Sequence, residues 1–215
     1  MPLFRVNGQV VLFLHIPKAG GTTVEDWLGT QGATALFNGK PYPGLPCTPQ
    51  HFHAELLSHI IETDFVDYAF AITRHPTARM ISEFKWQKRV KPKAFRRRSL
   101  KNGFLRRPDY DFERWFETAI AAFERNPYHS GNHFRPQNAF TAYPGCEVFR
   151  LEDGMTQILS KVAERLGLEA PNTARRKNAT PDDPVTLSPK AHALISRAYA
   201  ADFQTFGYDP SEHSV

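Results

Sequence analysis

"LHIPKAGGTTVEDWL", Leu14 to Leu28, is the stretch on which the fold turns. An apolar run, VVLFLHI, leads into Pro-Lys-Ala-Gly-Gly-Thr-Thr and then into a segment with apolar residues at Val24, Trp27 and Leu28. Apolar residues three and four apart mark one face of a helix, so the reading is strand, turn, helix. Adjacent glycines, Gly20 and Gly21, free the backbone to direct several N–H groups at one point, and the helix that follows adds its positive end. Such a turn suits an anion, most often a phosphate. The lysine precedes the glycines, however, whereas in the nucleotide-triphosphatase loop G-x-x-x-x-G-K-[ST] it follows them. The spacing does not point to ATP.

Outward from this stretch, strands and helices alternate. After a Pro- and Gly-rich connection, "AELLSHIIETDF" reads as a helix with Leu56, Leu57, Ile60 and Ile61 on one face. "YAFAIT" is a short apolar strand that ends at Arg74-His75-Pro76, where the proline suits the first turn of a helix carrying Met80, Ile81 and Phe84 inward. Further helices are expected at "DYDFERWFETAIAAFERN", at "MTQILSKVAERLG", closed by Gly167, and at "SPKAHALISRAYAADFQTFG"; "CEVFRLE" is a further strand. Apolar strands alternating with helices imply a parallel sheet covered on both faces, with ligands at the carboxyl ends of the strands. Both the "PKAGGTT" and the "TRHP" turns lie at such ends. A single domain over residues 1–215 is expected from the length and the 41% hydrophobic content.

Composition narrows the class. No apolar run reaches the roughly 18 to 20 residues of a membrane span, and "MPLFRVNGQ" does not read as a signal peptide, so a soluble, cytoplasmic protein is expected. Cys47 and Cys146 lack C-x-x-C spacing, which argues against a cysteine-built zinc site; a disulfide between them is not needed, and both read as packing residues. The net charge is +5, and its distribution says more than its sum. Of 27 Lys and Arg, eleven fall between Phe84 and Pro108 with no Asp or Glu among them, leaving 16 basic against 22 acidic residues elsewhere. Such a block either meets a polyanion or is solvated surface.

"HIPKAGGTT" followed by "ITRHPTARMISEF" resembles the sulfotransferases that use 3′-phosphoadenosine-5′-phosphosulfate (PAPS), of the carbohydrate type that includes the uronyl 2-O-sulfotransferases. The resemblance continues in "EVFRLED", "RRKNAT" and "YAADFQTFGYD" and so covers most of the chain. It implies a P-loop-type three-layer α/β domain with a central, mostly parallel sheet flanked by helices. It further implies that Pro17, Lys18, Ala19, Gly20, Gly21, Thr22 and Thr23 cradle the 5′-phosphosulfate, and that Arg74 and Ser82 hold the 3′-phosphate, with adenosine-3′,5′-bisphosphate as product. Arg175 and Lys177, in a late basic loop, are expected over that same phosphate, the competing reading being a solvated loop. Lys18 is expected to act catalytically, neutralising charge as it builds on the oxygen that bridges sulfur and phosphorus.

A hydroxyl acceptor must lose its proton, and a side chain of near-neutral pKa is the natural base. His51 and His53 in "PQHFHAEL" lie between the two nucleotide motifs, where the resembling family carries its catalytic histidine. If that segment is extended, residues two apart point the same way and both line one cleft. His53, nearer the helix start, is the expected base, with His51 as the alternative. His15 reads as a core histidine, and His133 as a candidate for acceptor contact. The basic block, Arg96, Arg97 and Arg98 above all, resembles an arginine-rich stretch of the uronyl enzymes and is expected to meet an anionic acceptor such as a glycan. No metal site is expected, because the two nucleotide motifs are poor in carboxylates and already supply cations. Two other readings compete. A P-loop kinase lacks its G-K-[ST], and a nucleic-acid-binding module leaves "PKAGGTT" unexplained; no nucleic acid is expected as partner.

Overall fold

Asn7 and Gly8 turn the chain back on itself before the loop is reached. Both have positive φ, 48° and 81°, the pair of left-handed residues that a two-residue hairpin turn requires. They join β1 (Leu3–Val6) to β2 (Gln9–Leu14) as an antiparallel pair. The computed structural model describes residues 2–36, 39–40, 42–95, 99–101, 104–106, 111–171 and 184–212. In chain order there follow α1 (Gly21–Leu28), β3 (Ala33–Ala35), α2 (Ala54–Ser58), β4 (Tyr68–Thr73), α3 (Pro76–Val90), β5 (Ser99–Lys101), β6 (Phe104–Arg106), α4 (Phe112–Arg125), α5 (Asn138–Thr141), β7 (Glu147–Arg150), α6 (Met155–Leu166), α7 (Pro189–Ala198) and α8 (Ala200–Phe206).

Five strands form one sheet in the order β3-β1-β2-β4-β7, and β5 pairs with β6 in a separate antiparallel ribbon. β2, β4 and β7 run parallel; β1 and β3 run antiparallel to their neighbours. The sheet is therefore mixed, with a parallel half that carries the loops of interest. The Asn-Gly signal for the antiparallel half is present in the sequence, and a pattern search for alternating strands and helices passes over it.

Side chains of β2 alternate between the faces. Leu12 and Leu14 join Ala69 and Ala71 of β4 against α2 and Phe140, while Val11 and Phe13 join Phe70 and Ile72 against Val24 and Leu28 of α1 and Ile158 and Val162 of α6. Both faces are thus covered, as continuous apolar strands require. A third cluster joins Met80, Ile81 and Phe84 of α3 to Trp115 and Phe116 of α4, Ile195 of α7 and Phe203 of α8.

Two expected helices come out shorter. The segment after Ala54 is helical only to Ser58, Ile60 is exposed, and the chain reaches β4 through a 3₁₀ turn at Thr63–Phe65. The last helix breaks at Tyr199 into α7 and α8, where the buried Tyr199 hydroxyl donates to the Phe134 carbonyl at 3.0 Å. Asp111 and Ser188 cap α4 and α7 by accepting from Arg114 and Ala191 N–H groups, and Gly167, at φ 65°, closes α6.

Candidate active site

The parallel half of the sheet brings the ends of β2 and β4 side by side. After β2 the chain passes His15 and Ile16 into the loop, where Lys18 (φ 69°) and Gly20 (φ 87°) are both left-handed. Glycine is favoured at two places here, at Gly20 by its left-handed φ and at Gly21 by packing, since a Cβ there would meet His15 Nε2 at 2.5 Å. α1 starts at Gly21, and its N-cap residue, Gly20, has no side chain to cap the first N–H groups. Those groups and the helix dipole make the loop an electropositive end.

At the end of β4, Gln137 grips Arg74 from both sides, its Oε1 accepting from the Arg74 N–H at 2.9 Å and its Nε2 donating to the Arg74 carbonyl at 2.8 Å. Asp202 holds Gln137 in turn, accepting from the N–H groups of Gln137 and Asn138 at 2.9 and 3.0 Å. The Arg74 guanidinium reaches the Lys18 carbonyl at 3.4 Å, so the two strand ends meet through it. Ser82 is partly exposed on α3, four residues before Trp86 and hence on the same helical face. Trp86 receives the Lys18 ammonium at 5.2 Å from its ring centroid. Lys18 therefore adjoins both Arg74 and Trp86, and Ser82 lies one turn before that tryptophan on α3. Ala19 and Pro17 are buried beneath the loop, Thr22 is exposed and Thr23 partly so.

Beside this cationic group stands a row of imidazoles. The ring of His15 lies 5.3 Å from that of His51, and His51 lies 4.9 Å from His133, both edge to face. Each outer ring has a buried carboxylate on Nδ1: Glu25 for His15, with Gln50 donating to both Glu25 oxygens at 3.1 and 2.9 Å, and Glu83 for His133 at 2.7 Å. His133 also stacks on Trp86, centroids 5.2 Å apart. In the middle, His51 Nδ1 donates to the Gly131 carbonyl at 3.2 Å, which leaves Nε2 as its acceptor atom. Burial, and then the neighbouring His133 and His15, hold its pKa well below the ordinary histidine value.

His53 lies elsewhere. The expectation that the two histidines line one cleft fails, because Pro49–His51 closes a 3₁₀ turn and His53 is the residue that opens α2. The period-2 rule does not apply across that junction. His53 is 2% exposed and packs on Tyr128 and Phe140; its Nδ1 lies 3.4 Å from Asn132 Nδ2, and its Nε2 is 3.4 Å from Glu55 without hydrogen-bond geometry. Arg96, Arg97, Arg98, Arg175 and Lys177 fall outside the described residues.

Glu25, Glu83, Trp86, Gln137 and Asp202 were not singled out from the sequence. One of them left a trace there: Glu83, like Gln87, falls in step with Met80 and Phe84 on the inward face of α3, where a polar residue needs a partner. Gln137 and Asp202 left none, since their bonds span more than 60 residues.

The donor set can be tested on its own chemistry. Burial lowers the Lys18 pKa, Arg89 and Arg74 lower it further, and Glu83 opposes them. Cations gathered against desolvation and mutual repulsion, at a helix N-terminus, are relieved by an anion placed among them. The site fits an anionic ligand. Among the described residues no group of three or more His, Cys, Asp and Glu is arranged to hold a metal ion, both cysteines are free thiols, and no helix is long and apolar enough to cross a membrane. A cleft of about 310 Å³ opens at the opposite end of the sheet beside Asp67, Tyr68, Glu147 and Arg165; none of the residues singled out from the sequence lines it.

An α/β protein with an anion-binding strand-loop-helix and an imidazole beside it has the parts of a group-transfer enzyme. The sequence matches the family model described as the Sulfotransferase family over residues 2–209, nearly the whole chain, and the protein belongs to that family. It is accordingly a transferase whose reaction is sulfuryl transfer. Comparison with curated proteins gave no match, and comparison with solved structures gave none.

Proposed function

We propose that the protein transfers the sulfuryl group of PAPS to a hydroxyl of a sugar or other polar, anionic acceptor, with His51 as the base. The observation that carries this reading is that Lys18 and Arg74 meet at the start of α1, and that Lys18 shares Trp86 with His133, the ring next to an imidazole, His51, whose Nδ1 is already committed to a carbonyl. When bound, PAPS supplies an activated sulfuryl group that moves along a loose, in-line path much like a phosphoryl group. Lys18 and the first N–H groups of α1 hold the 5′-phosphosulfate, and the Lys18 ammonium faces the charge that develops on the bridging oxygen. Arg74, its backbone fixed by Gln137, and Ser82 hold the 3′-phosphate, where a guanidinium fork suits phosphate oxygens. Arg175 and Lys177 are proposed to join them. His51 Nε2 takes the acceptor proton; its lowered pKa keeps it neutral, and so able to accept, at physiological pH. His133 and the basic block with Arg96, Arg97 and Arg98 bind the acceptor. Two fixed cations stand where a kinase would use magnesium, so no metal is required.

The test is ligand-specific. Adenosine-3′,5′-bisphosphate should raise the melting temperature while ATP with magnesium does not, and labelled PAPS incubated with panels of anionic glycans and other alcohols should pass its sulfuryl group to one of them in the presence of EDTA. A shift with ATP–magnesium alone, or transfer abolished by EDTA and restored by magnesium, would sink the reading.

A further inference from the structure

Glu83 has no task in that mechanism, yet it is 0% exposed in the wall of the site. It occupies an inward position of α3 between Met80 and Phe84, where an apolar side chain would meet no desolvation cost. Its Oε2 accepts from His133 Nδ1 at 2.7 Å and its Oε1 from Gln87 Nε2 at 2.6 Å, while Gln87 Oε1 accepts from Trp115 Nε1 at 3.2 Å. Trp86 carries both the His133 ring, stacked at 25°, and the Lys18 ammonium. The buried carboxylate is thus bonded to the acceptor-side imidazole and acts through its charge on the donor-side Lys18, whose ammonium shares the Trp86 ring with that imidazole.

We propose that Glu83 is a positioning residue, the shared counter-charge that keeps Lys18 protonated and holds His133 with its proton on Nδ1. This rests on the assignment of Lys18 to the donor. Glu83 is itself ionised in the neutral range: burial pushes its carboxyl up, but His133, Gln87 and Lys18 together outweigh burial and hold it below the usual carboxylate range. The other charged or titratable groups nearby do not replace it. Lys18 is faced by Arg74 from the end of β4 and Arg89 from α3, both of which favour loss of its proton. His133 is faced by His51; Tyr199, across the core, stays a neutral phenol because burial raises its pKa. Arg79, one helical turn before Glu83, spends its guanidinium on the carbonyls of His133 and Arg135 at 3.2 and 3.0 Å.

Glu83→Gln removes the charge and keeps the shape. In the full chain labelled with ¹³C at lysine Cε and free of donor and acceptor, the Lys18 signal, assigned by its loss in Lys18→Arg, should titrate at lower pH in Glu83→Gln than in wild type. The alkaline limb of the rate profile should move down with it, so that at its alkaline end the variant keeps an about tenfold smaller share of its own maximal rate, the size of a one-unit displacement. Equal Lys18 titration in both proteins, or a rate lost by the same factor at every pH, would overturn the proposal. If Glu83→Gln does not fold, Glu83→Met, which exchanges buried charge for apolar bulk, takes its place in the same titration. The lysine titration needs no turnover: a moved titration in a protein without transfer activity supports the coupling and sinks the donor reading, and the reverse pattern sinks the coupling alone.

Discussion

His51 and His53 stand two residues apart and belong to different regions of the molecule. His51 sits partly exposed in a row of polar rings beside the loop after β2, one nitrogen bonded to a carbonyl and the other left as acceptor. His53 is sealed between Tyr128 and Phe140. Burial comes first among the causes that lower the pKa of each. A lowered pKa therefore does not by itself mark a base. What separates the two is the company each keeps: for His51 two further imidazoles, one of them stacked on the Trp86 that also carries Lys18, and for His53 aromatic packing with Glu55 and Arg135 acting on it. Asn132 (φ 72°) joins the regions, donating to the His51 carbonyl at 2.8 Å and accepting from Arg135 Nε at 2.9 Å.

The largest effect that could break this contrast is on turnover. His51→Ala should lower kcat by about 10²- to 10⁴-fold, the usual worth of a positioned base, and leave the affinity for adenosine-3′,5′-bisphosphate within a few-fold of wild type. His53→Ala should keep most of its turnover and lose stability instead. Steady-state rates beside melting curves decide it: an inactive but fully stable His53→Ala protein, with His51→Ala active, would reverse the assignment.

A smaller effect sharpens the contrast through pH. His51 must be neutral to accept a proton, and its pKa lies below the ordinary histidine value because of burial and the imidazoles on either side. The rate should hold steady as pH falls through about 6.5, the ordinary value, and drop only below it, tenfold per unit once the protonated form dominates. His133→Gln takes away one of the neighbours that depress His51, so its acid limb should move up toward the ordinary value. A wild-type limb at or above 6.5 would show that another group is titrating.

How much of this was legible beforehand depended on the range of the interactions. The strand-loop-helix around Lys18 could be read because its signals, an apolar run and paired glycines, lie within 15 residues. The same holds for Gly167, which closes α6 as expected. The Asn7-Gly8 hairpin was equally local, and expecting a parallel sheet concealed it. Which way His51 and His53 face depended on whether Pro49 would start a 3₁₀ turn or an extended run, and the bonds that hold the turn, linking His51 to Gly131 and Asn132, span about 80 residues. The break at Tyr199 has neither proline nor glycine to announce it; the bond that accompanies it there, from the Tyr199 hydroxyl to the Phe134 carbonyl, spans 65 residues. Gln137 is the extreme case, since an amide side chain that grips Arg74 from both sides looks like any other glutamine in a string of letters.

The smallest expected effect concerns stability, and it asks whether His53 is packing and nothing else. His53→Leu removes a buried nitrogen that has no hydrogen-bond partner among the described residues, Nε2, and also the weak contact from Asn132 to Nδ1. Losing an unsatisfied polar atom and losing one long bond work in opposite directions, so at neutral pH the variant should lie within about 1 kcal/mol of wild type by urea unfolding. Acid should separate the two proteins. Burial first, and then Arg135, depress the His53 pKa in the folded state, with Glu55 opposing, whereas the unfolded chain takes up a proton near the ordinary value. The unfolded state therefore binds more protons as the pH falls below about 6.5, and wild-type stability is lost progressively through the folded-state pKa of His53. Leucine cannot bind a proton, so the stability of His53→Leu should fall less steeply over that window, with His51 and His129 adding slope in both proteins because their own folded pKa values are depressed, chiefly by burial. Parallel pH–stability curves would mean that His53 already exchanges protons freely with solvent, and the sealed setting that distinguishes it from His51 would have to be given up.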